Sequence, residues 1–449
     1  MMNIILLSGG SGKRLWPLSN EIRSKQFLKL LKNGNNELES MAQRVYNQIE
    51  SAGIDANIVV ATGKLQVDSI KNQLGNNVDI VLEPMRRDTF PAIALAASYL
   101  LFEKHIDPED VIIILPVDPY AERMYFELLK ELENTVKAGI ANIALMGIKP
   151  TYPSAKYGYI VPMNKDIDNC TNYTLVKRFQ EKPTEDYANQ LIEDGAMWNG
   201  GVFAFKLKYI IGAIEKYLVF NSFEDVVNQY SKLPKISFDY EVVEREKSIA
   251  MLEYNGTWKD LGTWNTLTEV MDDNIVGKVV LADNCKNTHV INELDIPIIV
   301  LGVTDIVIAA SPDGILVSDK HQSSYLKQYV DTISQRPMYE EKRWGEYKVL
   351  DYLVCDDGTI SLTKQMHIIA GEEISYQSHK IRNEVWTIVD GTGDIILDGN
   401  IRSINRGDVV NIAIGVKHAI KATTDLRFVE IQIGIELSES DIERFECIW

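Results

Sequence analysis

The chain has 449 residues, of which 45% are hydrophobic, enough for two or three separate cores. Its formal net charge of −18 disfavours nucleic acid or an anionic membrane as a general partner, because long-range repulsion opposes both. The N-terminal apolar run is too short for a signal peptide, and later apolar runs are far below the roughly 20 residues of a membrane helix. Cys170, Cys285, Cys355 and Cys447 form no CxxC pair, which fits reduced thiols and disfavours a thiolate zinc site. We therefore expect a cytoplasmic multidomain protein.

Up to about Met271 the sequence alternates short β-rich runs with helical stretches, as a parallel or mixed α/β sheet requires. The predicted strands are Ile4–Leu7, Asn57–Ala61, Asp79–Leu82, Val111–Pro116 and Ile143–Gly147. The predicted helices are Glu37–Ser51, Lys64–Leu74, Pro91–Lys104 and Phe126–Ala138. Asp88 and Thr89 are candidate caps for the third helix, which has a proline in its first turn.

Near Asn274 the pattern changes to short strands separated by Gly, Asp and Asn. The strands predicted there are Gly277–Leu281, Val290–Ile291, Ile296–Leu301, Ile306–Ala310 and Gly314–Val317, and a helical stretch, Ser323–Val330, follows them. From about Pro337 the short, evenly spaced strands and glycine-containing turns predict a closed barrel or jelly roll. We therefore expect three domains, with boundaries at 1–271, 272–336 and 337–449.

The first predicted strand ends at Gly9 and Gly10. Glycine lets backbone N–H groups turn inward, so this loop is a candidate phosphate cradle. It is not a Walker A motif, because Lys13 is followed by Arg14 instead of Ser or Thr. It is not a dinucleotide fingerprint either, because Leu15 stands where a third small residue is required.

The string Leu-Ser-Gly-Gly-Ser-Gly-Lys-Arg-Leu-Trp-Pro-Leu-Ser, followed by Lys-Gln-Phe at 25–27, resembles the signature of sugar-1-phosphate nucleotidyltransferases. Within them it is similar to the mannose-1-phosphate guanylyltransferase branch, with Lys13 in place of Thr and Ser24 in place of Pro. The resemblance implies that Arg14 and Lys25 are catalytic, stabilising the triphosphate and the pentavalent transition state. The nucleotide-binding residues that it implies are Gly9, Gly10, Gly12, Lys13, Glu83 and Arg87.

Two further blocks concern the base and the metal. Guanine presents N–H donors, and Glu83 is the candidate acceptor. The resemblance implies that Asp118 and Asp260 bind Mg²⁺, which prefers oxygen ligands and substrate phosphates. The alternatives are that Glu83 only ends a strand and that each aspartate is a turn or cap residue.

A third group of sequence segments resembles the part of the family's active site that binds the sugar phosphate. The resemblance implies that Glu181 and Asn199 hold sugar hydroxyls and that Lys182 binds the sugar phosphate. Gly158 would let the backbone approach the sugar ring. The alternative for the Glu-Lys pair is a solvated surface ion pair.

The last domain carries four residues at cupin-motif spacing, namely Gln377, His379, Glu384 and His418. These N and O ligand types suit Zn²⁺ or another divalent ion. The domain resembles the phosphomannose isomerase half of bifunctional type II enzymes, but aliphatic side chains replace two imidazoles of that family's motif. We therefore expect metal binding with weak or no mannose-6-phosphate isomerase activity.

The sequence is thus identified as a member of the type II guanylyltransferase/phosphomannose isomerase family. The implied fold class is α/β: a Rossmann-like, GT-A-like mixed-sheet nucleotidyltransferase domain, a small β linker domain and a C-terminal cupin β-barrel. The implied reaction converts GTP and mannose 1-phosphate to GDP-mannose and pyrophosphate with Mg²⁺. The open alternatives are another sugar 1-phosphate or base, or a non-catalytic sugar-nucleotide-binding scaffold. The oligomeric state also stays open, with a homodimer as one option.

Overall fold

The computed structural model describes residues 1–10, 12–75, 78–163, 172–446 and 449. Ser11 of the signature loop, Cys170 and Cys447 lie outside the described residues. The chain forms two compact units, of which the first consists of 1–14 and 24–272 and the second of 15–23 and 273–449. The boundaries at 271 and 336 stay predictions. No helix in the described ranges is long and apolar enough to cross a membrane.

The first unit contains both strands and helices. Its strands are β1 (Met2–Ser8), β2 (Leu31–Lys32), β3 (Leu38–Glu39), β4 (Ala56–Gly63), β5 (Asp79–Glu83), β6 (Val111–Pro116), β7 (Pro119–Ala121), β8 (Ile143–Ile148), β9 (Tyr159–Pro162), β10 (Thr174–Gln180), β11 (Met197–Lys206), β12 (Ile249–Tyr254) and β13 (Trp258–Asp260). Its α-helices are α1 (Met41–Ser51), α2 (Val67–Leu74), α3 (Thr89–Phe102), α4 (Arg123–Lys137), α5 (Glu185–Glu193), α6 (Leu207–Ile214), α7 (Phe223–Gln229), α8 (Phe238–Glu241) and α9 (Trp264–Thr268). Short 3-10 helices cover Lys13–Leu15, Lys25–Phe27, Lys64–Gln66, Tyr230–Lys232 and Val243–Arg245.

A nine-stranded mixed sheet in the order β5-β4-β1-β6-β11-β8-β12-β10-β9 organises this unit. Strands β5, β4, β1 and β6 are parallel neighbours, and β11 runs antiparallel between β6 and β8. Large apolar clusters cover the sheet, and helices α3 and α4 supply buried residues to them. The carboxyl ends of the parallel strands share one edge, where ligands gather in open α/β sheets. The predicted α/β mixed-sheet fold is therefore confirmed.

Helix α1 begins later than predicted. The expected start was Glu37, but Leu38–Glu39 pairs with β2, and Ser40 caps the helix that follows. The Ser40 hydroxyl accepts from the backbone N–H of Gln43, whose side chain accepts in turn from the N–H of Ser40. This capping box satisfies exposed backbone donors and so fixes the helix start.

The second unit is built mainly from strands. They are β14 (Ile275–Val276), β15 (Val279–Leu281), β16 (His289–Asn292), β17 (Ile298–Val300), β18 (Ile306–Ser311), β19 (Gly314–Asp319), β20 (Tyr339–Lys342), β21 (Gly345–Val354), β22 (Ile360–Ile368), β23 (Glu373–His379), β24 (Arg382–Asp390), β25 (Thr392–Leu397), β26 (Asn400–Asn405), β27 (Val409–Ile412), β28 (His418–Ala422), β29 (Leu426–Gly434) and β30 (Ile442–Arg444). The helical segments are 3-10 turns at Gln322–Tyr325 and Glu439–Asp441 and helix α10 (Lys327–Val330).

Two sheets build the C-terminal part of this unit, in the orders β20-β21-β22-β29-β24-β27 and β26-β25-β28-β23-β30. Both sheets contribute to one core, in which Trp386 and Phe428 are among the largest fully buried side chains. Gly358 and Gly399 lie in turns between paired strands, β21–β22 and β25–β26, whereas Gly391 and Gly407 lie where the chain passes from one sheet to the other. The predicted C-terminal cupin β-barrel is therefore confirmed.

Residues 15–23 of the signature region fold with the second unit. The ring of Trp16 lies so close to Gly314 that a Cβ there would overlap it. Arg23 donates from Nη1 to Oε2 of Glu293 over 2.8 Å. Neither hydrophobic periodicity nor motif spacing predicts this arrangement.

Two turn glycines of the barrel give a stability prediction. Gly391 and Gly399 have φ of 83° and 80°, so alanine at either position should cost about 1–2 kcal/mol through the left-handed backbone. A Cβ at Gly391 would also overlap backbone atoms of Asp425 and Leu426, whereas at Gly399 it would meet nothing within 4 Å. Gly391→Ala should therefore lower the free energy of unfolding by a further ~1–3 kcal/mol in urea titration. Equal losses in the two variants would contradict this packing.

Candidate active site

A cleft of about 390 Å³ opens in the first unit where the parallel strands end. Its walls combine the glycine loop after β1, the end of β5 with the start of α3, and the residues after β6. The lining residues are Leu7, Gly9, Gly10, Gln26, Ala61, Gly63, Gln66, Glu83, Arg86, Arg87, Asp88, Thr89, Ala92, Pro116, Val117 and Asp118. Motifs that are far apart in the sequence therefore meet in one cavity.

The glycine loop approaches the predicted base-binding residue. Gly10 and Gly12 have φ of 139° and 63°, conformations that favour glycine. A Cβ on Gly9 would lie 3.7 Å from Oε1 of Glu83. Lys13 begins the 3-10 helix that follows. The loop backbone and the Glu83 carboxylate are thus close enough to face one ligand.

Lys25 lies between the two predicted metal ligands. Its Nζ is 2.7 Å from Oδ2 of Asp118 and 3.8 Å from Oδ1 of Asp260. Asp118 follows β6, and Asp260 ends β13, which pairs with β7 so that Asp260 stands opposite Pro119. Arg14 also acts electrostatically on all three groups. The structure therefore brings both predicted catalytic cations to the predicted metal ligands.

The charges of this centre are unequal. Burial disfavours the ammonium of Lys25, but attraction to Asp118 and Asp260 outweighs it and raises the pKa of Lys25. Burial likewise opposes ionisation of Asp118, yet Lys25 holds the pKa of Asp118 below its usual value. Burial, together with repulsion from Asp118, raises the pKa of Asp260 despite the attraction of Lys25. The single ammonium group of Lys25 thus does not fully neutralise the carboxylate of Asp260.

Glu83 has a partner that its motif did not predict. The hydroxyl of Tyr230 donates to Oε2 of Glu83 over 2.8 Å, across 147 residues of sequence. Burial raises the pKa of Glu83, and the bond from Tyr230 opposes that rise. Arg87 donates from Nε to the carbonyl of Leu233 over 3.0 Å. The Asp88 side chain accepts from the N–H of Thr89 over 2.8 Å, which confirms the predicted cap.

The four predicted sugar-phosphate residues also lie together. The N–H of Asn199 donates to the carbonyl of Gly158 over 2.8 Å. A Cβ on Gly158 would overlap the Glu181 carboxylate and the Phe179 ring, so only glycine allows this approach. Lys182 donates to Oε1 of Glu181 over 2.6 Å. Oε2 of Glu181 is buried and finds no hydrogen-bond partner in the described part of the chain.

Two acidic residues outside any motif join this group. The amide of Asn199 donates to Oδ1 of Asp239 over 2.7 Å, and Oε1 of Glu244 accepts from the N–H of Glu181 over 2.9 Å. Burial raises the pKa of Glu181, and Glu244 adds to the rise while Lys182 opposes it. Motif spacing does not predict either residue, because a long and mainly helical stretch of sequence separates each of them from β11.

In the second unit, His379, Glu384 and His418 converge, with one ligand atom from each lying within 4.8 Å of the others. Nε2 of His379 is 3.2 Å from Oε1 of Glu384, and Nε2 of His418 is 3.6 Å from its Oε2. Gln377, the fourth predicted ligand, stands opposite His418 in the β23–β28 ladder. Its Oε1 accepts from the hydroxyl of Ser375 over 3.3 Å.

The buried charge of Glu384 has several donors. Arg382 donates from Nε to Oε1 over 3.1 Å, and the indole of Trp386 donates to Oε2 over 3.2 Å. Burial opposes ionisation, but hydrogen bonding and the positive charges around it hold the pKa of Glu384 at about 2. Burial lowers the pKa of His418, and Glu384 opposes that change. At neutral pH the cluster therefore offers an ionised carboxylate and a neutral imidazole, the states that metals require.

Comparison with known proteins gives consistent matches. The nucleotidyl transferase family model matches residues 3–275, and the model for the mannose-6-phosphate isomerase C-terminal domain matches 332–447. A mannose-1-phosphate guanylyltransferase from Salmonella montevideo is 28% identical, with 99% of this chain and 98% of that protein aligned. A putative mannose-1-phosphate guanylyltransferase from Vibrio cholerae is 29% identical, with 98% and 99% aligned.

A solved structure from Thermus thermophilus, named a mannose-1-phosphate geranyltransferase, has a TM-score of 0.60 and 27% identity. The match covers 74% of this chain and 98% of the chain in the solved structure. The nucleotidyl transferase model spans more than half of the sequence and contains the whole cleft. The chain therefore belongs to the nucleotidyl transferase family and carries a C-terminal domain that matches the mannose-6-phosphate isomerase C-terminal domain.

Proposed function

We propose that this protein is a mannose-1-phosphate guanylyltransferase, making GDP-mannose and pyrophosphate from GTP and mannose 1-phosphate. The observation that carries the proposal is the position of Lys25 between Asp118 and Asp260, at the sheet edge that also holds the glycine loop. Relatives named for this activity align over almost the whole chain, which supports the choice of sugar and base.

The reaction needs positioning and charge stabilisation more than proton transfer. An oxygen of the sugar phosphate attacks the α-phosphorus of GTP. The bond from that phosphorus to the bridging oxygen breaks, and pyrophosphate leaves with the electron pair. A phosphate oxyanion is already a competent nucleophile, so no general base is required. In this proposal Arg14 and Lys25 stabilise the charge that develops on the phosphates.

The centre also fits a magnesium ion. Asp118 and Asp260 provide the oxygen ligands that Mg²⁺ prefers, and the raised pKa of Asp260 is consistent with negative charge that Lys25 alone leaves uncompensated. When bound by these two residues, Mg²⁺ would neutralise phosphate charge. Asp118 and Asp260 then have two tasks, because their carboxylates also hold Lys25 in place.

Glu83 in the cleft and the separate group around Glu181 suit the two substrates. Glu83, oriented by Tyr230, is an acceptor for the N–H groups of guanine. The free Oε2 of buried Glu181 is an acceptor for a sugar hydroxyl, with Lys182 beside it for the sugar phosphate. A buried polar group such as the Glu181 carboxylate selects strongly for ligands that satisfy it.

Substitution of the two cations tests the catalytic assignment. In an assay of pyrophosphate release with Mg²⁺, GTP and mannose 1-phosphate, Lys25→Ala and Arg14→Ala should each reduce turnover about 10²–10³-fold. The exposed Lys29 is the matched control, and Lys29→Ala should retain the wild-type rate. Near-normal turnover by Lys25→Ala would mean that the triphosphate lies elsewhere. Wild-type protein that releases no pyrophosphate with any sugar 1-phosphate would refute the proposed function.

A pair of lysines tests the sugar end. Lys182→Ala should raise the KM for mannose 1-phosphate about tenfold or more while changing the KM for GTP little, because a charged hydrogen bond contributes about 1.5–3 kcal/mol. Lys177 on β10 is exposed, and Lys177→Ala should leave both constants unchanged. A larger effect on GTP than on the sugar phosphate would reverse the two ends of the site.

We also propose that the cupin cluster binds a divalent metal, Zn²⁺ or a similar ion. Nδ1 of His418 lies 3.0 Å from the carbonyl of Val416 and can donate to it, which leaves the Nε2 lone pair facing Glu384. That Nε2 is buried without a hydrogen-bond partner among the described residues, which fits a metal ligand. His379 and Glu384 would complete the set with Gln377, and the ion would polarise a ligand oxygen.

Calorimetric titration with Zn²⁺ tests this cluster. His418→Ala should weaken Zn²⁺ binding more than about tenfold, whereas His321→Ala, at an exposed position of the same unit, should not. Unchanged affinity in His418→Ala would refute the site.

With Zn²⁺, Co²⁺ or Mn²⁺, we expect little or no conversion of fructose 6-phosphate to mannose 6-phosphate, because aliphatic side chains replace two histidines of the family's motif. Rapid conversion would contradict that expectation.

A further inference from the structure

Asp239 stands out because it fixes the orientation of a predicted sugar ligand. Asn199 donates from Nδ2 to Oδ1 of Asp239 over 2.7 Å, and its own Oδ1 accepts from the N–H of Gly201 over 3.1 Å. If the Asn199 amide were flipped, its oxygen would face the Asp239 carboxylate and its NH₂ group would face the N–H of Gly201, so both contacts would be repulsive. The two bonds therefore hold one amide orientation, and Asn199 keeps a second N–H and a lone pair for a ligand.

The carboxylate of Asp239 lies among other charged groups of the sugar end. Glu181 repels it, Lys182 attracts it, and its own backbone N–H stabilises the ionised form. Glu244 and Asp88 repel Glu181 in turn, and the Tyr240 ring lies 6.0 Å from Nζ of Lys182. Two carboxylates thus share one lysine, and Oε2 of Glu181 remains without a partner in the described ranges.

We propose that Asp239 is a specificity-determining residue of the sugar-phosphate half. Its carboxylate holds the Asn199 amide and, together with Glu181, forms a pair of acceptors for hydroxyl groups of the sugar. The inference rests on the proposed function of this cleft and names a residue that no motif includes. An ionised carboxylate only accepts hydrogen bonds, so this pair selects hydroxyl donors at the sugar positions that it faces.

The same geometry makes sugar binding depend on pH. Burial, followed by repulsion from Glu181, raises the pKa of Asp239 to about 7. The ionised fraction therefore grows as the pH rises through this value, and the affinity for the sugar phosphate should grow with it. The phosphate group of the substrate also titrates, near pH 6, but it does so equally with every variant of the protein. A comparison of variants across pH therefore removes the contribution of the substrate phosphate.

Asp239→Asn is the informative substitution. Its side-chain oxygen can still accept from Asn199, while the charge and its titration are removed. At about pH 8 the KM for mannose 1-phosphate should rise about tenfold, the effect of losing one charged hydrogen bond, with kcat and the KM for GTP nearly unchanged. At about pH 6 the rise should shrink to about twofold, because wild-type Asp239 is then mostly protonated. Asp239→Ala, which also releases Asn199, should raise this KM at both pH values.

The control is Asp186→Asn, an exposed aspartate of α5, which should leave KM unchanged at both pH values. An Asp239→Asn effect that is equal at the two pH values would reveal a merely structural role and overturn the proposal. So would unchanged KM in a variant with wild-type thermal stability. The dissociation constants of mannose 1-phosphate, measured by calorimetry, must show the same ratios of variant to wild type as the KM values. If the wild-type protein binds the sugar phosphate but releases no pyrophosphate, the proposed function is refuted. The effect of the Asp239 variants on binding of the sugar phosphate can still be measured by calorimetry.

Discussion

The active-site cleft depends on one ammonium group placed between two carboxylates. Lys25 can lie 2.7 Å from Asp118 and 3.8 Å from Asp260 only because three elements converge. Strand β6 delivers Asp118, the β7–β13 ladder sets Asp260 beside it, and the 3-10 helix Lys25–Phe27 carries the lysine. Phe27 is 1% exposed, and the burial of its ring anchors that helix. Two neighbouring carboxylates without this cation would repel each other, so the ion pair organises the centre before substrate arrives.

Cations and carboxylates also lie side by side in the sugar-phosphate group, where Lys182 donates to Glu181. The chain carries a formal charge of −18, so phosphate must be captured by cations at fixed positions and not by the field of the whole protein. In our proposal Arg14 and Lys25 bind the triphosphate and Lys182 binds the sugar phosphate. Glu83 lines the cleft and Glu181 lies beside Lys182, and burial raises the pKa of both carboxylates. In our proposal the cations bind phosphate, while the carboxylates recognise the base and the sugar.

Motif spacing predicted the parts of the fold and site that local sequence determines. An apolar run that ends at paired glycines predicts β1 and its loop, and the predicted strand Val111–Pro116, which precedes Asp118, is β6. Spacing could not predict Tyr230 or Asp239, because their contacts with Glu83 and Asn199 span 147 and 40 residues of chain and depend on helix packing. The assignment of residues 15–23 to the second unit was missed for the same reason, since long-range contacts fix it. The roles of the site residues stay predictions.

A crystal structure with Mn²⁺ in place of Mg²⁺ and with GTP bound tests the proposed centre most directly, because manganese is located by its anomalous scattering. We expect one manganese peak within coordination distance of carboxylate oxygens of both Asp118 and Asp260, with the triphosphate on the glycine loop and guanine facing Glu83. Manganese bound away from these two aspartates, or guanine bound beside Glu181 and Asp239, would contradict the proposed arrangement.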